Sequence, residues 1–152
     1  MKPVAVANDA AHIEATAIRL LALREHSRYE LQRKLTARYT DNPLLEQILD
    51  ALQARDLLSD KRFTQQYSEQ RIRKGYGPLR IRAELEERGI QSELMAPFLD
   101  LPAAEWQEQL QITAQRKFGE IQAQDQREQA RRARFLQARG FPGAMIRHYL
   151  WD

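Results

Sequence analysis

Cysteine is absent from the 152 residues. That removes disulfides, thiolate metal sites and cysteine nucleophiles, and it is compatible with a reducing cytosol. No apolar run approaches the roughly 20 residues of a membrane helix. Met1 to Asn8 lacks the apolar core of a secretory signal. A cytoplasmic protein without a membrane partner is the expectation. Histidine is scarce, and His12, His26 and His148 show neither a His-x-x-x-His spacing nor a triad. No bound metal and no histidine base are expected. No pair of carboxylates is placed for acid–base work. Glycine and proline, six each, are too few for a Gly-rich β protein or a long linker. No Gly-x-x-x-x-Gly-Lys-Ser/Thr occurs. Gly75-x-Gly77-x-x-Arg80 lacks a third glycine and follows a helical pattern, not a strand. ATP binding, cofactors and enzymatic activity are therefore not expected.

What is present suits a folded, water-soluble chain: 43% hydrophobic and 30% charged residues. The net charge of +3 is less telling than its distribution. Residues 1–59 carry eight Lys/Arg against eight Asp/Glu, whereas 106–152 carry eight against five. A polyphosphate surface, or a protein coated with nucleic acid, becomes a plausible class of partner.

Apolar spacing is helical throughout. A first helix is expected from Ala10 to about Glu25, with Ile13, Ala17, Leu20 and Leu21 on one side. Ser27-x-x-Glu30 is a capping box for a second, about Arg28 to Arg38, which presents Leu31 and Leu35. Asp41-Asn42-Pro43 opens a third, with Leu45, Ile48, Leu49 and Leu52 on its apolar face. Ser59 or Asp60 caps the next, which holds Phe63, Tyr67 and Ile72. Gly77-Pro78 starts another with Ile81 and Leu85, and Gly89 stops it. Ser92 to Asp100 follows. After Pro102 come a helix ending at Phe118-Gly119, a Gln-rich stretch 120–129, a helix from Ala130 to Arg139 stopped by Gly140, and a last helix with Met145, Ile146, Tyr149 and Leu150. The aromatic and methionine positions Phe63, Tyr67, Phe98, Trp106, Phe135, Met145 and Tyr149 are expected in the core.

The pattern repeats. A shift of 50 carries Ile13 to Phe63, Leu31 to Ile81, Leu35 to Leu85 and Leu49 to Leu99. A shift of 51 carries Leu85 to Leu136, Gly89 to Gly140 and Leu99 to Leu150, while the preceding helix needs 43, which carries Lys74 to Lys117. The difference places an insertion near 119–126, where the composition turns Gln-rich. The expectation is an all-α chain of three tandem three-helix, helix-turn-helix-like repeats, 10–56, 57–101 and 102–152, forming an elongated, curved protein. A nine-helix globule with only incidental spacing is the alternative.

Arg71-Ile72-Arg73-Lys74-Gly75-Tyr76-Gly77-Pro78-Leu79-Arg80-Ile81-Arg82 stands out. It holds five positive charges and no negative one. Arg73 and Lys74 suit a helix C-terminus, where the backbone dipole favours cations. Arg80, and Arg28 in the earlier repeat, fall in a first helical turn, where a cation is mildly unfavourable. One reading makes them anion-binding side chains; the other makes Arg80 a surface residue bridging to Glu84. Tyr76 is open to two readings as well: an exposed stacking or anchoring ring, or a ring folded over a small satellite core. A second basic run, Arg127, Arg131, Arg132, Arg134 and Arg139, has Glu128 as its partial counter-charge.

Three segments carry a family likeness. They are Arg24-Glu25-His26-Ser27-Arg28-Tyr29-Glu30-Leu31 with Lys34-Leu35, then Leu58-Ser59-Asp60-Lys61-Arg62-Phe63, and most specifically Arg73-Lys74-Gly75-Tyr76-Gly77-Pro78 with Arg80-Ile81 and Glu84-Leu85. In order and spacing they resemble the bacterial regulatory protein RecX family over about residues 12–100. Lys117-Phe118-Gly119 and Arg139-Gly140-Phe141 extend the likeness more weakly. The resemblance implies a modulator of RecA, the recombinase that forms filaments on single-stranded DNA. It implies tandem three-helix units lying in the filament groove as a monomer, dampening ATP hydrolysis and strand exchange, with weak binding to single- or double-stranded DNA. Arg24, Arg28, Lys34, Arg73, Lys74, Tyr76, Arg80 and Arg82 are then the candidate contacts with RecA or DNA. A stand-alone DNA-binding transcription regulator, built on the same helix-turn-helix-like units, is the competing function.

Overall fold

The computed structural model describes residues 9–40 and 42–152. Met1 to Asn8 and Asp41, on which the signal-peptide and third-helix expectations partly rested, lie outside the described residues. Among those described there are nine α-helices and no strand. They are α1 (Ala10–Leu23), α2 (Arg28–Arg38), α3 (Leu45–Ala54), α4 (Asp60–Arg73), α5 (Pro78–Glu87), α6 (Ser92–Leu99), α7 (Ala103–Phe118), α8 (Gln126–Arg139) and α9 (Gly143–Trp151). None is long and apolar enough to cross a membrane.

The chain groups into two compact units, Met1–Gln66 with Arg88–Ile90, and Tyr67–Glu87 with Gln91–Asp152. In the first, α1, α2 and α3 pack against one another. Their shared core holds Ile13, Ala17, Leu31, Leu35, Leu45, Ile48, Leu49, Leu52 and Leu58, with Tyr39 closing one side. The ring of Tyr39 is buried, so its hydroxyl needs a partner, and it meets Thr16 Oγ1 at 2.7 Å. The capping box forms as the sequence indicates. Glu30 N–H donates to Ser27 Oγ at 3.0 Å, and Ser27 N–H donates to Glu30 Oε1 at 3.2 Å.

In the second unit α5 packs on α6, and α7, α8 and α9 pack on one another. Ile81, Leu85, Met95, Leu99, Leu110, Ala114, Leu136, Phe141 and Ile146 are buried there. So is Trp106, whose indole N–H donates to Leu99 O at 2.9 Å. Phe63, in the first unit, is buried as well, but Tyr67, Phe98, Phe135, Met145 and Tyr149 are only half-buried.

Three helix ends differ from expectation for local reasons. α1 stops at Leu23, since Arg24 is already extended at φ −167°. α3 begins at Leu45 because Asn42 Oδ1 accepts from Leu44 N–H and holds 42–44 in a turn. α8 begins at Gln126, four residues before Ala130, because Asp125 Oδ1 accepts from Glu128 N–H. Residues 119–125, where the repeat shifts imply an insertion, form the non-helical link between α7 and α8.

Two glycines decide how α5 meets α8. The end of α4 is a Schellman turn. Gly75 (φ +91°) donates to Ile72 O, and Tyr76 N–H donates to Arg71 O at 3.1 Å. The end of α8 is its counterpart, with Gly140 at φ +100° and Phe141 N–H donating to Leu136 O. The start of α5 docks on that second turn. Gly77 N–H donates to Arg139 O at 2.7 Å, and Leu79 N–H donates to Gly140 O at 3.0 Å. A Cβ on Gly77 would lie 2.6 Å from the carbonyl carbon and oxygen of Gly140, and one on Gly140 would collide with Arg80 Cβ. Gly77→Ala and Gly140→Ala should each destabilise the protein by about 1–3 kcal/mol. The pair should be less than additive, because both break the same contact. Thermal unfolding of the two single variants and the double variant measures this; a fully additive double variant would show the contact to be two independent ones.

Candidate functional site

The first unit holds three of the predicted contact residues, and each has a partner. Arg24, at the end of α1, binds both oxygens of Glu30 at 3.1 and 3.3 Å and donates to Glu25 O. Arg28 begins α2 and faces α3. Its guanidinium reaches Asp50 at 2.7 Å, Glu46 at 3.0 Å and the side-chain oxygen of Gln53. The unfavourable first-turn cation is thus offset by carboxylates from another helix. Lys34 donates to His26 Nε2 at 2.8 Å, which leaves Nδ1–H to donate to Arg24 O at 3.0 Å. Burial first, then the charges of Arg24 and Lys34, push the His26 pKa below its usual 6.5 despite the backbone hydrogen bond. The ring is therefore neutral and serves as an acceptor for the lysine.

The other five residues, all in the second unit, divide into two kinds. Tyr76 is half-buried, and three guanidinium groups surround its ring. Arg71 stands 3.8 Å from the ring centroid, Arg80 4.5 Å and Arg139 4.7 Å. The negative ring faces favour this arrangement, but three cations together need a counter-charge. Glu84 provides it. Arg71 binds it through Nε and Nη2 at 2.8 and 2.7 Å, Arg80 through Nε at 3.2 Å, and Tyr67 donates its hydroxyl at 2.9 Å. The surface bridge from Arg80 to Glu84 expected at i, i+4 is therefore one edge of a larger cluster. Tyr76 and Arg80 are components of that cluster and not free groups. Arg82 reaches Asp100 at 3.7 Å and the sulfur of Met95.

Arg73 and Lys74 are of the second kind. Both side chains are exposed, and no carboxylate pairs with either among the described residues. Their carbonyls are capped from other helices: Arg116 donates to Arg73 O at 3.2 Å, and Arg139 donates to Lys74 O at 2.9 Å. Arg116, Lys117 and Arg139 were not among the candidates. The signal was available, since each lies in a basic last turn like that of α4, and the repeat shift already pairs Lys74 with Lys117. In the second basic run Arg131 and Arg132 bind Glu128 at 2.8 Å and hold its carboxyl at about 2. Arg132 is buried and also donates to Ile121 O.

Burial opposes ionisation of Glu84, but the hydrogen bonds from Arg71, Tyr67 and Arg80 outweigh it and set its pKa below the usual 4.5. A carboxyl depressed in the folded state adds stability that is complete above its unfolded pKa and lost as pH falls through the folded one. Acid unfolding followed by circular dichroism should therefore begin in that window. Glu84→Gln should lower stability at neutral pH and flatten its decline below about pH 4.5. An unchanged acid profile in the variant would show that the cluster does not depend on this charge.

Comparison with known proteins agrees with this architecture. Residues 59–96 match the second three-helix domain of RecX, and residues 104–150 match the third. The chain is 45% identical over 142 residues to the regulatory protein RecX of Pseudomonas syringae pv. tomato, covering 93% of this chain and 92% of that protein. It is 42% identical over 146 residues to the one from Pseudomonas fluorescens Pf-5, covering 96% and 94%. The crystal structure of RecX from Lactobacillus salivarius superposes with a TM-score of 0.73 at 18% identity, covering 93% of this chain and 94% of that one. A second crystal structure of regulatory protein RecX gives 0.76 at 19%, covering 96% and 74%. With relatives above 40% identity across nearly their full length and family domains matched in order, the chain belongs to the RecX family of regulatory proteins.

Proposed function

We propose that the chain regulates RecA by binding the RecA filament, lowering its ATP hydrolysis and strand exchange in DNA repair and the SOS response, without catalysis of its own. Membership of the RecX family carries this reading. The helices supply a scaffold, and no cofactor enters the scheme. The chain acts as a cytoplasmic monomer, made of three three-helix repeats at 10–56, 57–101 and 102–152, with the filament and its DNA as partners. The matched family domains at 59–96 and 104–150 support the second and third of these repeats.

Among the proposed contacts, Arg73 and Lys74 have the roles most easily separated from folding, because their side chains hold nothing else in place. Arg24, Arg28, Lys34, Tyr76, Arg80 and Arg82 have internal partners and would contribute through the surface those partners shape. Arg73→Ala with Lys74→Ala should raise the concentration needed for half-inhibition of RecA ATPase about tenfold, the equivalent of about 1.4 kcal/mol. The defect should shrink as salt is added and exposed charges are screened. Helicity should be unchanged. Inhibition equal to that of the unaltered chain would remove the basic turn from the mechanism. Tight, sequence-selective duplex binding in a gel shift without RecA would instead favour a transcription regulator.

A further inference from the structure

Three helix C-termini meet in the second unit. The carbonyl end of α4 is capped by Arg116 from the last turn of α7 and by Arg139 from the last turn of α8. Between them lies an open cleft of about 160 Å³. Four cations line it: Lys74, Arg116, Lys117 and Arg139. Gly75, Thr113 and Phe135 complete the lining, and no carboxylate is among these residues.

Helix dipoles explain part of this clustering. Each C-terminus carries about half a negative charge, so three supply roughly one and a half. Four full positive charges exceed that, and no acid closes the difference. The donors are also incompletely used. A guanidinium has five N–H groups, and Arg116 and Arg139 each direct one at a carbonyl. Lys117 lies over the Phe135 ring at 5.4 Å, which positions its ammonium without neutralising it. Thr113 gives its hydroxyl proton to Gln109 O at 2.8 Å, so the donors facing the cleft are cationic. An open cleft of about 160 Å³ has room for a small oxyanion with some hydration.

We propose that this cleft between the ends of α4, α7 and α8 is a binding site for a phosphate group, held by Lys74, Arg116, Lys117 and Arg139. The phosphate is either one link of a nucleic-acid strand or a free phosphate ion. Charge-assisted hydrogen bonds from two guanidinium groups and two ammonium groups suit its tetrahedral oxygens. Exposed Arg73, whose carbonyl Arg116 caps, extends the positive surface next to the cleft, as a strand would require. The strand arm rests on the proposed DNA partner and shares Lys74 with it, whereas the free-ion arm does not, and neither needs RecA.

The test uses the full chain without RecA. Lys117→Gln and the double variant Lys74→Gln with Lys117→Gln remove cations whose ammonium groups cap no carbonyl. Fluorescence anisotropy with labelled oligo(dT), titrated at several salt concentrations, reads the strand. The thermal shift on adding inorganic phosphate, against chloride at matched ionic strength, reads the free ion. Control variants Lys61→Gln and Arg147→Gln, both exposed, carry the same charge change elsewhere. For a strand phosphate, the double variant should bind oligo(dT) about tenfold more weakly, and its salt slope should shrink by up to ~0.7, the value for one single-strand phosphate. For a free phosphate, the thermal shift should vanish in the same variant while oligo(dT) binding is unaffected. Equal loss in the controls, or no change with either probe, overturns the proposal. Because RecA ATPase inhibition is read separately, failure here leaves the filament reading standing, and the reverse holds as well.

Discussion

The contact between Gly77 and Gly140 governs the second unit. Here two backbones touch where side chains would otherwise keep them apart. The approach lets the N–H groups at the start of α5, which have no partner within their own helix, reach the carbonyls at the end of α8. The helix start and the helix stop thereby satisfy each other's unpaired groups. The consequences extend to the side chains. Arg80 comes within reach of Ala138 O, and Arg139 reaches both the Tyr76 ring and Lys74 O. That contact is what brings Arg139 to the cation cluster around Tyr76 and to the cleft beside it.

Electrostatics in this chain depends on which charges are already committed. Arg71 and Arg80 are matched to one carboxylate, Glu84, which is itself held by Tyr67. Arg24 is matched to Glu30, and Arg28 to Asp50 and Glu46. These pairs set the register between helices, and their cations are poorly placed to receive an outside anion. Around the cleft, Arg73, Lys74, Arg116 and Lys117 are exposed and meet no carboxylate among the described residues. Where a cation stacks on a ring or caps a carbonyl instead of meeting an acid, its charge still points outward. That distinction separates the surface able to recognise a polyanion from the larger count of basic residues.

What the sequence determines by itself is local. A capping box spans four residues, and a helical apolar face repeats every three or four. The start of α2 at Ser27-Arg28, the start of α5 at Gly77-Pro78 and the stop at Gly140 follow from backbone chemistry confined to one turn, so they can be read directly. The same short-range signals carry the family likeness. Deviations at Asn42, Arg24 and Asp125 come from side chains that favour a turn, an extended residue or an earlier cap, each legible only once the neighbouring N–H is seen.

Tertiary structure decides the partners. An arginine can pair with any carboxylate its four-bond reach allows, and packing alone chooses among them. It brings Asp50 to Arg28 and Glu84 to Arg71, gathers Arg116, Lys117 and Arg139 around Lys74, and sets Tyr76, which the sequence leaves either exposed or folded back, at the centre of three cations. Spacing along the chain cannot encode that choice, because it depends on which helix faces meet. The basic stretch from Arg71 to Arg82 is thus visible as charge in the sequence. Its division into a cluster tied to Glu84 and an open surface exists only in the folded chain, where carboxylates from other turns either arrive or do not.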